Sequence, residues 1–155
     1  MKINQRVAQL VASSTLAITS RAKELKAQGY DVVNFGAGEP DFDTPQPIKQ
    51  AAIQAIEEGF TKYTPSIGAL DLREAVALKF KNENKLDYLP SQIVVSCGAK
   101  HSLYNIILVL TNEGDEVLIP SPYWVSYPEM VKLADEMPKF LKTSTDTKFK
   151  ITAKQ

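Results

Sequence analysis

The stretch IVVSCGAKHSLYNIILVL at 93–110 passes from a β-branched run, through Gly98, into an apolar segment of helical length. A helix starting there exposes up to about four unpaired amides and about half a positive charge at its first turn. Gly98 lets a guest approach the backbone closely, and phosphate is the usual guest of such a turn. Lys100 adds a full charge in that first turn, with its amide or its side chain. The same residues also fit an ordinary strand-to-helix turn in which Gly98 only serves its backbone angles. No G-x-G-x-x-G and no G-x-x-x-x-G-K-[ST] occurs, so dinucleotide and nucleoside triphosphate sites lack support.

A second candidate follows the next apolar run, in Pro120–Ser121–Pro122–Tyr123–Trp124–Val125–Ser126–Tyr127–Pro128. Trp124, the sole tryptophan, offers a flat face for stacking on a planar ring. The competing reading is that Tyr123, Trp124 and Tyr127 plug the top of a sheet as core. An amide nest beside an indole suits a phosphorylated aromatic cofactor.

The remaining reactive side chains carry less. Cys97 is the single cysteine, so the chain has no internal disulfide. At the end of an apolar strand it reads as a small buried residue, with a nucleophile as the alternative. His101 and Ser102 adjoin, yet no carboxylate is placed by sequence to orient them, and His101 reads as a surface or capping residue. One Cys and one His support no metal site.

The elements that must hold these residues can be read from period and punctuation. Ser14 or Thr15 caps a helix with Ile18, Ala22 and Leu25 on one face, stopped at Gly29. A strand is expected at 32–35, then the irregular loop Gly36–Ala37–Gly38–Glu39–Pro40. Thr44 and Pro45 open a helix to Glu58 that buries Ile48, Ala52, Ala55 and Ile56. A further helix over 69–84 has Leu72, Ala75, Val76 and Phe80 on one face. From 92 the rhythm becomes strand 92–96, helix 99–110, strand 115–119, helix near 124–135 and strand 138–142. Such alternation implies a parallel sheet covered by helices, with ligands bound beyond the carboxyl ends of its strands. Gly98 and Trp124 then share one rim. Residues 151–155 resemble the start of another helix.

Composition bounds the partners. Of 155 residues, 44% are apolar and 23% charged, a globular balance. The 18 basic and 18 acidic residues cancel without a basic block, which argues against nucleic acid or an anionic membrane as main partner. The N-terminus has no uninterrupted apolar core, and the longest apolar run is far short of a membrane span. A cytoplasmic protein is expected.

Four stretches together resemble the class I pyridoxal-phosphate-dependent aminotransferases, most closely the bacterial aspartate group. They are NFGAGEPDFDTP at 34–45, TKYTPSIGALDLREAVALKF at 61–80, VVSCGAKHSLYN at 94–105 and GDEVLIPSPYWVSYPEMVKLA at 114–134. The resemblance implies the type I fold of pyridoxal-phosphate transferases: an α/β architecture, mostly parallel sheet with helices on both faces, here cut after the third large-domain strand. Residues 1–44 become the N-terminal arm and the start of a small domain, and 45–155 the first part of the large domain. It further implies that the backbone of Gly98, Ala99 and Lys100 holds the cofactor phosphate and that Trp124 stacks on its pyridine ring. Tyr63 is implied to reach the phosphate of a neighbouring subunit, in a homodimer. Gly38 lets the main chain approach the substrate α-carboxylate. For Tyr63 a locally packed turn tyrosine, and for Gly38 a plain tight turn, fit the residues equally.

The implied activity is amino-group transfer between an L-amino acid, aspartate first, and a 2-oxo acid. The family's Schiff-base lysine belongs to a downstream half absent from these residues, so no catalytic residue is assigned among them. The 155 residues are therefore expected to be a fragment, inactive alone. Two alternatives stay open: a non-catalytic cofactor-binding or dimerising module, and a pyridoxal-phosphate-dependent carbon–sulfur lyase of the same fold.

Overall fold

A computed structural model describes residues 2–155. The chain forms two compact units, one made of residues up to Gly38 together with Gly98–Gln155, the other of Glu39–Cys97.

In the first unit, α1 (Gln5–Ala8) is a single turn capped by the Asn4 side chain, which accepts the Arg6 amide. Helix α2 (Ser14–Ala27) follows, capped by Ser13 and not by Ser14 or Thr15. Its expected face is only partly realised, with Ala22 buried and Ile18 exposed. The expected strand at 32–35 is irregular extended chain, because no neighbouring strand pairs with it.

Next along the chain lies the second unit. It holds α3 (Gln46–Glu57) and α4 (Leu70–Lys79). Pro45 is the residue before α3, which starts without a side-chain cap, so Thr44 does not cap it. None of Ile48, Ala52, Ala55 and Ile56 is fully buried; only Ala55 is partly covered. No other element of this unit packs on α3. After α4 the helix widens into a π-turn at Phe80–Asn84 and stops at Lys85, which is left-handed at φ 60°. The buried residues of α4 are Arg73 and Ala77, one step round from the expected Leu72 and Val76. Arg73 explains the rotation. Its Nε donates to the Gly68 carbonyl at 3.1 Å and its Nη1 to the Pro90 carbonyl at 2.9 Å, satisfying two loop acceptors at once.

Returning to the first unit, α5 (Ala99–Leu110) runs over the expected residues and α6 (Ser126–Leu133) lies inside its expected range. Strand β1 (Glu116–Ser121) pairs in parallel with β2 (Met137–Lys142), from Glu116 opposite Met137 to Ser121 opposite Lys142. Helix α6 is the crossover between them and packs on both. The small core gathers under it: Val131 is 1% exposed and Ile119 of β1 is 5% exposed.

The expected strand at 92–96 does not join this sheet. Residues 90–92 form a 3-10 turn, and 93–96 are extended without a strand partner. The Val95 amide bonds the Ile67 carbonyl at 3.0 Å instead. Nor do 151–155 start a helix; they end in a turn.

Helix α5 is strongly apolar, yet none of its residues is buried, and Val109 and Leu110 stand mostly exposed. Among the described residues, no helix is long and apolar enough to cross a membrane.

Candidate functional site

The site is built from two turns of the first unit. At the first, Gly98 adopts φ 88° and ψ 168°, a region essentially reserved for glycine. The conformation turns the extended chain into α5 within one residue. No side chain of the residue before α5 caps it, and the Ser102 amide donates to the Gly98 carbonyl at 3.3 Å. The amides of Ala99 and Lys100 precede it, without an acceptor inside the helix. A Cβ built on Gly98 would meet nothing within 4 Å, so the space above the turn is open.

At the second turn, the chain leaves β1 through Ser121 and a cis Ser121–Pro122 peptide bond and enters α6 at Ser126. Its carboxyl-end position is held by two side-chain-to-backbone bonds, one from Ser121 to β2 and one from Thr143, just past β2. The Ser121 hydroxyl donates to the Leu141 carbonyl at 3.2 Å, and the Thr143 hydroxyl donates to the Ser121 carbonyl. The Tyr127 amide closes the turn on the Trp124 carbonyl at 3.0 Å.

These turns meet. The Lys100 ammonium lies 5.6 Å from the centroid of the Trp124 indole, within the range of a cation–π contact. The side chain of Lys100 therefore reaches the aromatic turn and does not point away from it. Trp124 is 45% exposed and Tyr123 and Tyr127 are each 38% exposed, so this trio is not a core plug. Tyr123 instead stacks on Phe140 of β2 at 5.0 Å between ring centroids, with an interplanar angle of 18°. That contact fixes one neighbour of Trp124 against the sheet.

The structure treats the other sequence candidates differently. Tyr63 is fully exposed at 108%, so the reading of a turn tyrosine packed locally does not hold. Gly38 has open space about it and no positive φ. The packed glycine of that loop is Gly36, whose added Cβ would sit 2.7 Å from the Ile18 side chain on α2. Cys97 is exposed, against the expectation of burial, because no sheet forms around 93–96 to cover it. His101 is exposed in the first turn of α5. Among the described residues, no three His, Cys, Asp or Glu side chains are grouped to hold a metal ion.

The sequence reading did not find Glu129. Its carboxylate accepts the Val11 amide at 2.9 Å through Oε2 and the Lys132 ammonium at 2.9 Å through Oε1. Only the Lys132 partner, three residues along the same helix, could have been read from spacing.

The geometry has close parallels. Residues 30–155 match the family described as Aminotransferase class I and II. The aspartate aminotransferase of Bacillus sp. (strain YM-2) is 56% identical over 150 residues, covering 97% of this chain and 38% of the relative. An aspartate/prephenate aminotransferase of Nitrosomonas europaea is 51% identical over 155 residues, covering 100% of the chain and 39% of the relative. Among solved structures, the aspartate aminotransferase from Thermus thermophilus with maleate aligns at a TM-score of 0.92 and 44% identity, over 96% of this chain and 39% of that one. The enzyme from Rhizobium meliloti aligns at 0.91 and 40% identity, over 99% and 38%. The chain thus spans about two-fifths of the length of the curated relatives it matches.

Proposed function

The chain belongs to the class I and II aminotransferases, and from that premise we propose that it supplies the phosphate-holding and ring-holding turns of a pyridoxal-phosphate site in an enzyme moving an amino group from L-aspartate to a 2-oxo acid. One observation carries this reading: the uncapped start of α5 at Gly98 and the half-exposed Trp124 are neighbours, joined by Lys100. The residues fit such a cofactor. Unpartnered amides at Ala99 and Lys100 and the positive end of α5 suit a phosphate dianion, and the open space at Gly98 admits it.

Bound there, pyridoxal phosphate would supply a carbonyl that takes up the amino group and a ring that withdraws electrons from the substrate α-carbon. The chain's own part is binding and orientation. Gly98, Ala99 and Lys100 anchor one end of the cofactor, and Trp124 sets the plane of its ring. Tyr63, whose ring is uncovered by its own chain, would reach a phosphate bound to a second copy in a homodimer. Gly38 leaves its backbone accessible to a substrate carboxylate. Aspartate as donor is supported by the names shared among the relatives. In this reading the whole protein works in the cytoplasm, residues 1–44 belong to the arm and small domain, and 45–155 begin the large domain. Taken by themselves, the 155 residues are expected to turn over no substrate.

The test is direct. The full-length gene product, supplied with pyridoxal phosphate, is expected to form oxaloacetate from L-aspartate and 2-oxoglutarate. Release of ammonia and a thiol from cysteine conjugates without amino transfer would point to a lyase and overturn the reading.

A further inference from the structure

Glu129 stands in the first turn of α6 and serves two elements at once. From the N-terminal arm it accepts the Val11 amide, and from its own helix it accepts Lys132. A second tie binds the same arm at the other end of the helix, where Arg6 Nε meets Asp135 Oδ2 at 3.0 Å. Between them the arm becomes a wall. Leu10, Val11 and Ser13 face Tyr123, Val125 and Met130 across a cavity of about 400 Å³. Trp124 itself is not part of its lining.

The two ties differ in strength. The Arg6–Asp135 pair is roughly half exposed on both sides, where solvent and salt weaken such pairs. The Glu129 side chain is 22% exposed and takes a backbone donor from a stretch of arm that joins no sheet. A bond to a charged acceptor is about twice as strong as a neutral one. Burial acts to raise the Glu129 pKa. The Lys132 hydrogen bond, the Val11 amide and the Lys132 charge outweigh it and hold the carboxyl below its ordinary range.

We propose that Glu129 is the anchor of the N-terminal arm, and that the arm wall of the cavity beside Tyr123 stands only while this carboxylate accepts from Val11. The inference goes beyond the aminotransferase reading and does not rest on it. The groups around the anchor are Lys132 on the same helix, Tyr123 across the cavity, and the Arg6–Asp135 pair nearer the end of α6. Because the native pKa of Glu129 is depressed, its contribution is fully present above the ordinary carboxylate value. It is lost as pH falls through the depressed value.

Hydrogen exchange at the Val11 amide, measured in the full-length gene product, reads the anchor without reference to activity. Glu129→Ala is expected to speed that exchange at least about tenfold, while Glu129→Gln, which keeps a carbonyl acceptor, restores much of the protection. If Glu129→Ala fails to fold, the unaltered protein still decides. Val11 protection must fall below pH ~4.5 ahead of that of the Gly114 amide, which bonds the Asp135 carbonyl at 3.1 Å. Exchange at Val11 that is unmoved by Glu129→Ala, or that follows Gly114 through the acid range, overturns the proposal.

Discussion

The Lys100 ammonium lies 5.6 Å from the centre of the Trp124 indole, so the start of α5 and the turn after β1 form one surface. The first turn of α5 thereby reaches the indole through its own lysine side chain. Four expected outcomes test what that surface, and the unit behind Cys97, do.

Gly98→Ala forces a side chain onto a backbone at φ 88° and ψ 168°, which costs on the order of 1–3 kcal/mol. The space itself is open, so the damage is conformational and local to the turn. Titration of the full-length gene product with pyridoxal phosphate, followed by absorbance, should show binding at least about tenfold weaker. Stability should fall by at most the same strain, about 1–3 kcal/mol.

Trp124→Ala removes a half-exposed indole that supports no core. The loss should fall on cofactor affinity, by about 0.5–1.5 kcal/mol beyond area effects, and Trp124→Phe should retain most of it. Equal affinity for both variants and the parent protein would remove the ring from the site.

Tyr63→Phe takes away one hydroxyl from a ring that touches nothing in its own chain. Unfolding midpoints should therefore match the parent within error. Cofactor affinity of the full-length gene product should fall several-fold, by the ~1 kcal/mol of one hydrogen bond. A lowered midpoint with unchanged affinity argues for a structural tyrosine.

Gly68→Ala is expected to destabilise the unit formed by Glu39–Cys97 by about 1–3 kcal/mol. Gly68 sits at φ 102°, and a Cβ there would lie 2.6 Å from the Val95 side chain. Arg73→Met attacks the same loop from the other side, leaving the Gly68 and Pro90 carbonyls without their charged donors. Its cost should be about 2–3 kcal/mol in urea unfolding. Because Arg73 bonds the Gly68 carbonyl itself, the double variant should lose less than the sum.

Much of the architecture was legible because helices satisfy their hydrogen bonds locally. Helix α5 covers the residues its apolar run predicts, α2 is bounded by Ser13 and Gln28 within a residue or two of expectation, and α3 begins beside Pro45. The pair β1 and β2 was also readable, since an apolar run, a helical crossover and a second apolar run recur in order. The four family stretches pointed to the same fold that the solved relatives share. The strand–helix alternation already puts Gly98 and Trp124 on one rim, although each has an ordinary structural reading of its own, and the resemblance adds their roles.

By itself, the sequence determined helices α2 to α6, the turn into α5 at Gly98 and the family, all of which depend on neighbours along the chain. The tertiary structure alone decided which segments pair and which faces are covered. Residues 32–35 and 93–96 have strand-like composition but no partner strand, and a strand's hydrogen bonds always belong to another segment. Burial is likewise a property of what lies opposite. Hence Cys97 is exposed, Arg73 takes an inner position to serve two carbonyls, and Glu129 holds the amide of Val11, a contact between residues too distant in the chain for any local pattern to announce.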